Sequence, residues 1–376
     1  MTIVQQQFLE LLKAGLWNRP ADISLFQGKV DWQGIFKFAK QQAVQIHVTD
    51  GINTLPKEIT PEAELIYKIT IRRVTNSRNH ELLNYTINKV TNLFNAEGIP
   101  SILLKGQGIA QNYINPTSRM CGDIDIYVGI ENFNKACEIL FREGAKDLAI
   151  QSKHDFHIAL SLDGSTIEIH KKSDVISRKK LDKSLQKWIK SHLDAKLADG
   201  TLPKWDNEGT PINIPDPTYN AFYIIHHAVR HLVSEGLGLR HVCDWVRFIH
   251  THHDQIDVEE LKAKLDEYKM VRAWELLGTI ATEFLDLPKE ELILPPTQKN
   301  TAKAEQLLQH IFKSGNFGRY SSEKRDSKSH YLKRKWHNFS FQVSRIIKLY
   351  PILPEYTIIF GWGWFTRAIY RFFTKN

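Results

Sequence analysis

Between Gly122 and Val128 the chain reads GDIDIYV, a strict polar/apolar alternation that an extended strand sorts onto two faces. Asp123, Asp125 and Tyr127 share one face, while Ile124, Ile126 and Val128 share the other. The preceding SILLK, at 101–105, is an apolar run of strand length. It leads into a turn at Gly106-Gln107-Gly108, a short helical stretch over 109–113, and a loop holding the turn formers Asn115 and Pro116. A helix over 131–143, closed by Gly144, follows the alternating strand. Next comes FHIALSLDGSTIEIHKK, in which Asp163-Gly164 is the two-residue turn of a hairpin. Its second strand sets Thr166, Glu168 and His170 on one face and Ile167 and Ile169 on the other.

Helices flank these strands, so the pattern predicts an α+β fold. FLELLKAGLW and DWQGIFKFAKQQAVQIHVTDGINTL space their apolar residues by three and four, as short amphipathic helices do. From Ala63 to Ala96 there is no internal Pro or Gly, and Gly98 and Pro100 stop the run. Beyond Pro217 the pattern is helical throughout, without a repeat of fixed period. Between these regions, 200–215 is rich enough in Gly, Pro and Asp to read as a connection. The expected organisation is a helical region at 1–97, a strand-bearing core at 98–200 and an all-helical C-terminal domain at 215–376. A chain of 376 residues is long enough for two or three such cores.

The net charge of +8 is concentrated at one end, since Lys303–Asn376 carries 14 Lys/Arg against 4 Asp/Glu. Such a segment suits a polyanion or a protein partner, or is a solvated helical surface. The tail YTIIFGWGWFTRAIYRFF sets aromatics beside Arg367 and Arg371, which reads as a packed terminal helix, a partner surface or a membrane-interface helix. No stretch has the roughly 18 uninterrupted apolar residues of a spanning helix. The opening MTIVQQQFLELLKAG lacks the basic and apolar regions of a secretory signal, so a cytoplasmic location is expected. Cys121, Cys137 and Cys243 have neither the number nor the spacing of a disulfide framework or a zinc knuckle.

Two carboxylates at i and i+2 on a strand project side by side, near enough to share divalent cations. Mg2+ is usually held by one or two carboxylates together with substrate phosphates, which is the need of phosphoryl chemistry. Glu168 is the leading candidate for a third carboxylate, because its strand has the matching alternation. Gly106 and Gly108 allow backbone amides to approach phosphate at the start of the next helix. Lys105 ends the first strand and is a candidate phosphate contact. Arg119 offers the planar fork that suits a triphosphate. His170, on the face of Glu168, could orient it, contact substrate or make a structural hydrogen bond.

The order of these pieces resembles the nucleotidyltransferase superfamily of DNA polymerase beta, and in detail its bacterial uncharacterised nucleotidyltransferase group. The likeness rests on Lys105-Gly106 after a strand, Arg119 before Gly122–Val128, and IEIH at 167–170. It extends over most of residues 1–250. What it implies is a mixed sheet with helices, Asp123, Asp125 and Glu168 around Mg2+ or Mn2+, and transfer of a nucleoside monophosphate from a nucleoside triphosphate such as ATP. The acceptor hydroxyl or phosphate is not specified by it. Two positions depart from the superfamily pattern: the turn is Gly106-Gln107 instead of Gly-Gly or Gly-Ser, and Glu168 stands where an aspartate is commoner.

Within HHAVRH, His227 and His231 have the i, i+4 spacing of helical metal ligands, although no HExxH occurs. They read as groups supporting the ligands of the same site, or as a hydrogen-bonding cluster with Arg240 and Asp244. The alternative to an enzyme is a catalytically silent relative that senses nucleotide or binds a partner.

Overall fold

In a computed structural model the described residues are 1–148, 156–176, 178–296, 300–320 and 331–374. The fold is α+β, and the chain divides into two compact units, 62–220 and a helical unit formed by 1–61 with 221–376. The helix Ala63–Ala96, expected in the N-terminal region, thus groups with the strands.

Among the described residues seven short strands occur, all in unit 62–220: β1 (Ile102–Leu103), β2 (Asp123–Tyr127), β3 (Lys146–Asp147), β4 (His157–Leu162), β5 (Ser165–His170), β6 (Lys204–Asn207) and β7 (Thr210–Asn213). The first five form one mixed sheet in the order β1-β2-β5-β4-β3. Among the described residues only the β2–β5 pair is parallel. The β4–β5 hairpin turns at Asp163 and Gly164, with φ of 52° and 84°. Both central residues of a type I′ turn need positive φ, which Asp and Gly tolerate best.

One face of the sheet is apolar because every second residue is. Ile124, Ile126, Ile167 and Ile169 pack with Leu83, Ile87, Val90 and Phe94 of the long helix and Ala136, Ile139 and Leu140 of the helix Gly129–Arg142. Burying each large apolar side chain contributes about 1.5–3 kcal/mol, so this stripe anchors the long helix to the sheet. A second stripe on that helix is polar. Asn76, His80, Asn84 and Asn88, four residues apart, face the connection between β1 and β2 and strand β6 instead of the five-stranded sheet. Asn207 of β6 donates to the Asn84 carbonyl at 3.0 Å and to Asn88 Oδ1 at 2.6 Å.

The β6–β7 hairpin corrects the reading of 200–215 as a plain connection. Glu208 and Gly209 carry positive φ, 52° and 86°, and form another tight turn between paired strands. Glu is an uncommon residue there, which hid the turn. The short helix after Gly106 also begins earlier than expected, at Gln107–Ala110, because Gly106 turns the chain with φ 61°.

In the helical unit, Ile3–Trp17 packs on Gln45–Ile52 through two glycines. A Cβ on Gly15 would lie 1.8 Å from the His47 carbonyl oxygen, and one on Gly51 would lie 2.0 Å from that of Leu11. Around Glu10, Arg19 and Lys13 form ion pairs at 2.7 and 3.0 Å. Burial raises the Glu10 carboxyl, but these partners overcome it and bring the group down to about 2. The two terminal helices, Tyr331–Leu349 and Pro354–Thr374, expose Trp336, Ile347, Ile358, Trp362 and Phe365. No helix among the described residues is long and apolar enough to cross a membrane.

Candidate active site

The pairing register brings the acids together. Asp125 of β2 is the Cα partner of Glu168 on the parallel strand β5, and Asp123 is the partner of Thr166. Asp125 is 2% exposed, whereas Asp123 at the start of β2 is exposed. Two of the candidate carboxylates therefore sit side by side within the unit, and the third lies two residues nearer solvent along the strand.

Asp125 is held by Lys105 and His170. Its Oδ1 lies 3.0 Å from Lys105 Nζ and 3.1 Å from His170 Nε2. Burial by itself would raise the Asp125 carboxyl, but the Lys105 ammonium and the His170 ring outweigh it and hold the group far below the ordinary carboxylate range. For His170, burial disfavours the charged ring, yet the hydrogen bond to Asp125 and the neighbouring Glu168 carboxylate raise its pKa above the ordinary value. Glu168 is lowered in the same way: burial opposes ionisation, and the neighbouring His170 ring outweighs it. The pocket is thus built to keep carboxylates ionised away from water. Lys105, expected at phosphate, is placed on the central aspartate.

A histidine that the motif reading passed over completes the cluster. His157 of β4 is the Cα partner of His170, and its Nε2 lies 3.5 Å from Glu168 Oε2. Counting outward from the Asp163-Gly164 turn pairs these two positions, so the hairpin register carried the signal.

The loop between β1 and β2 is clamped by the long helix. Asn76 Nδ2 donates to the carbonyls of Thr117 and Arg119 at 2.6 and 3.1 Å, and Asn79 Nδ2 donates to that of Cys121 at 3.0 Å. His80 Nε2 also donates to the Arg119 carbonyl, at 2.7 Å. A carbonyl can only accept, so His80 Nδ1 is left to accept from the Gln107 amide at 3.1 Å. Burial lowers the His80 pKa, in keeping with a neutral ring. Gln107 is thereby an internal strut, 1% exposed and also bonded to Asn84.

The remaining candidates take separate roles. The Arg119 side chain is 6% exposed and donates to Cys121 Sγ at 2.8 Å. Gly106 runs close under β2, since a Cβ there would stand 3.1 Å from the Asp123 carbonyl oxygen. A Cβ on Gly108 would instead meet Ile214, at 3.3 Å, so this glycine packs tightly. His227 and His231 belong to the helical unit. There Arg230 donates to His227 Nδ1 at 3.0 Å, which leaves His227 Nε2 to donate to His231 Nε2 at 3.0 Å.

Does this arrangement fit a divalent cation? Asp123, Asp125 and Glu168 supply hard oxygen donors from adjacent strands, Asp125 buried and Glu168 half-buried. The donor chemistry fits Mg2+, with Asp123 at the wet end. Comparison with curated proteins and with solved structures gave no match. The family described as "Uncharacterised nucleotidyltransferase" matches residues 28–286, a span that contains every candidate residue of this site. The chain belongs to that nucleotidyltransferase family.

Proposed function

We propose that the protein transfers a nucleoside monophosphate from a nucleoside triphosphate to an acceptor hydroxyl or phosphate, as a member of the DNA polymerase beta-like superfamily. The observation that carries this reading is the register of Asp125 with Glu168 on parallel strands, with Asp123 exposed two residues ahead. Asp123, Asp125 and Glu168 would hold Mg2+. When bound, the cation supplies charge neutralisation at the reacting phosphate.

The chain's own residues do the remaining work. Lys105 and His170 keep Asp125 ionised, so this carboxylate needs no proton loss before it accepts a cation. Asp123 presents its carboxylate to water, where a triphosphate arrives. The sharp turn at Gly106 draws the backbone against β2, and Asn76, Asn79 and His80 fix the loop that carries Arg119. This preorganisation matters because positioning and electrostatics supply most of the acceleration in phosphoryl transfer. The acceptor is chosen elsewhere than on the metal-binding strands.

Calorimetry with a non-hydrolysable triphosphate tests the binding half of the proposal. Binding should require Mg2+ and weaken by about tenfold or more in Asp123→Ala. Metal-independent binding that survives the substitution would count against it.

A further inference from the structure

Glu168 faces two different surroundings. One is Asp125 on the neighbouring strand; the other is a pair of imidazoles, His157 and His170, whose rings lie 4.9 Å apart between centroids, His170 also reaching Asp125. The ligand atoms of His157, Glu168 and His170 all lie within 4.8 Å of one another. His157 is 9% exposed and His170 is 3% exposed. They project from paired positions on adjacent strands, so the backbone fixes their separation.

The distances discriminate between two explanations. Glu168 Oε2 stands 3.5 Å from His157 Nε2 and 3.4 Å from His170 Nε2. A good N–H···O hydrogen bond is shorter, about 2.7–3.2 Å. Two ligands bound to one ion at about 2.0–2.1 Å and at a tetrahedral angle lie about 3.3–3.4 Å apart. Both histidine–glutamate separations are close to that second spacing. Neutral imidazole is a borderline-soft donor that Mg2+ takes up poorly, whereas Zn2+, Co2+ and Fe2+ accept it readily.

We infer that His157, Glu168 and His170 form a binding site for a single nitrogen-preferring divalent cation, of the Zn2+ or Co2+ class, beside the carboxylate pair. Three protein ligands leave coordination positions open for water or a phosphate oxygen, and Glu168 is shared with the oxygen-rich site. Asp125 keeps its Lys105 partner when His170 turns its Nε2 lone pair to the ion. The inference rests on the proposed function for what the ion does in the reaction. The binding site itself stands or falls without nucleotidyl transfer.

Chelator-treated full-length protein titrated with Co2+ alone provides the test. The expected result is a saturable visible d–d absorption from one bound ion, quenched by Zn2+, lost in His157→Ala and His157→Gln, and retained in Asp123→Ala. Proton NMR of the wild-type Co2+ complex should show hyperfine-shifted ring signals from two histidines, a readout that depends on no variant's folding. Absence of these signals, or a Co2+ spectrum indifferent to both His157 substitutions, overturns the inference. Loss of transfer with the Co2+ spectrum intact would overturn only the proposed function. An absent spectrum with transfer intact would overturn only this site.

Discussion

Two histidine clusters in this protein are driven to opposite charge states. At the sheet, His170 lies between Asp125 and Glu168, and those carboxylates raise its pKa although burial opposes them. In the helical unit, His241 is buried beside Arg240 and His231, and burial followed by those neighbours lowers it well below the ordinary value. Near it, the Arg230–His227–His231 chain has one donor and one acceptor at each link, as neutral rings require. Burial is common to both places, so the neighbouring charge decides. A histidine among carboxylates helps to hold charge for chemistry; one among cations and rings is a neutral structural strut.

The most forceful way to break this contrast is to remove the carboxylate on which the sheet cluster depends. Asp125→Ala leaves Lys105 and His170 without their common counter-ion, and should cost about 3–5 kcal/mol in urea unfolding and abolish transfer. An equivalent substitution at Asp123 separates chemistry from stability. This residue is exposed, so Asp123→Ala should leave unfolding within about 0.5 kcal/mol of wild type. The same variant should lower transfer by about 100-fold or more. A stability loss as large as that of Asp125→Ala would show that Asp123 is structural.

A smaller effect is expected from the clamp on the loop between β1 and β2. Asn76→Ala removes two hydrogen bonds and leaves the Thr117 carbonyl without its asparagine donor, while His80 still serves Arg119. The expected cost is about 1–2 kcal/mol, with a rise in KM for the triphosphate exceeding any fall in kcat. If KM is unchanged, the clamp does not position the nucleotide.

The mildest test is pH. The lowered carboxyls of Asp125 and Glu168 contribute stability that is full above their unfolded values and is lost as pH falls through their folded ones. His170, raised, contributes stability that is full below its unfolded value and is lost as pH rises through the folded one. His241, lowered, behaves as the carboxyls do, costing stability as pH falls below 6.5. Histidine NMR titration should therefore find His170 protonated, and His241 neutral, at pH 6.5. Coincident titration curves would remove the contrast.

Much of the site was legible because strands announce themselves by alternation. GDIDIYV and STIEIH each display one apolar face, and from that the co-facing of Asp123 with Asp125 and of Glu168 with His170 follows. The run from Ala63 to Ala96 was equally plain, since nothing in it breaks a helix. Pairing between distant strands was not legible: the Asp125–Glu168 register is set by packing of the isoleucine face against the long helix, which no local pattern encodes. The role of Gln107 was hidden for a similar reason. In the sequence Gln107 is only a departure from the usual Gly or Ser, and only the fold brings Asn84 and His80 to meet it. His157 was recoverable, because a two-residue hairpin turn fixes its pairing with His170.

The proposed activity is tested most directly by transfer of label from α-phosphate-labelled nucleoside triphosphates in Mg2+, with a broad set of sugar, nucleoside, RNA and protein acceptors. Wild type should release pyrophosphate and label an acceptor, and the stably folded Asp123→Ala variant should do neither. Equal label transfer by the variant, or none by wild type with any of the triphosphates in Mg2+ or Mn2+, would contradict the account.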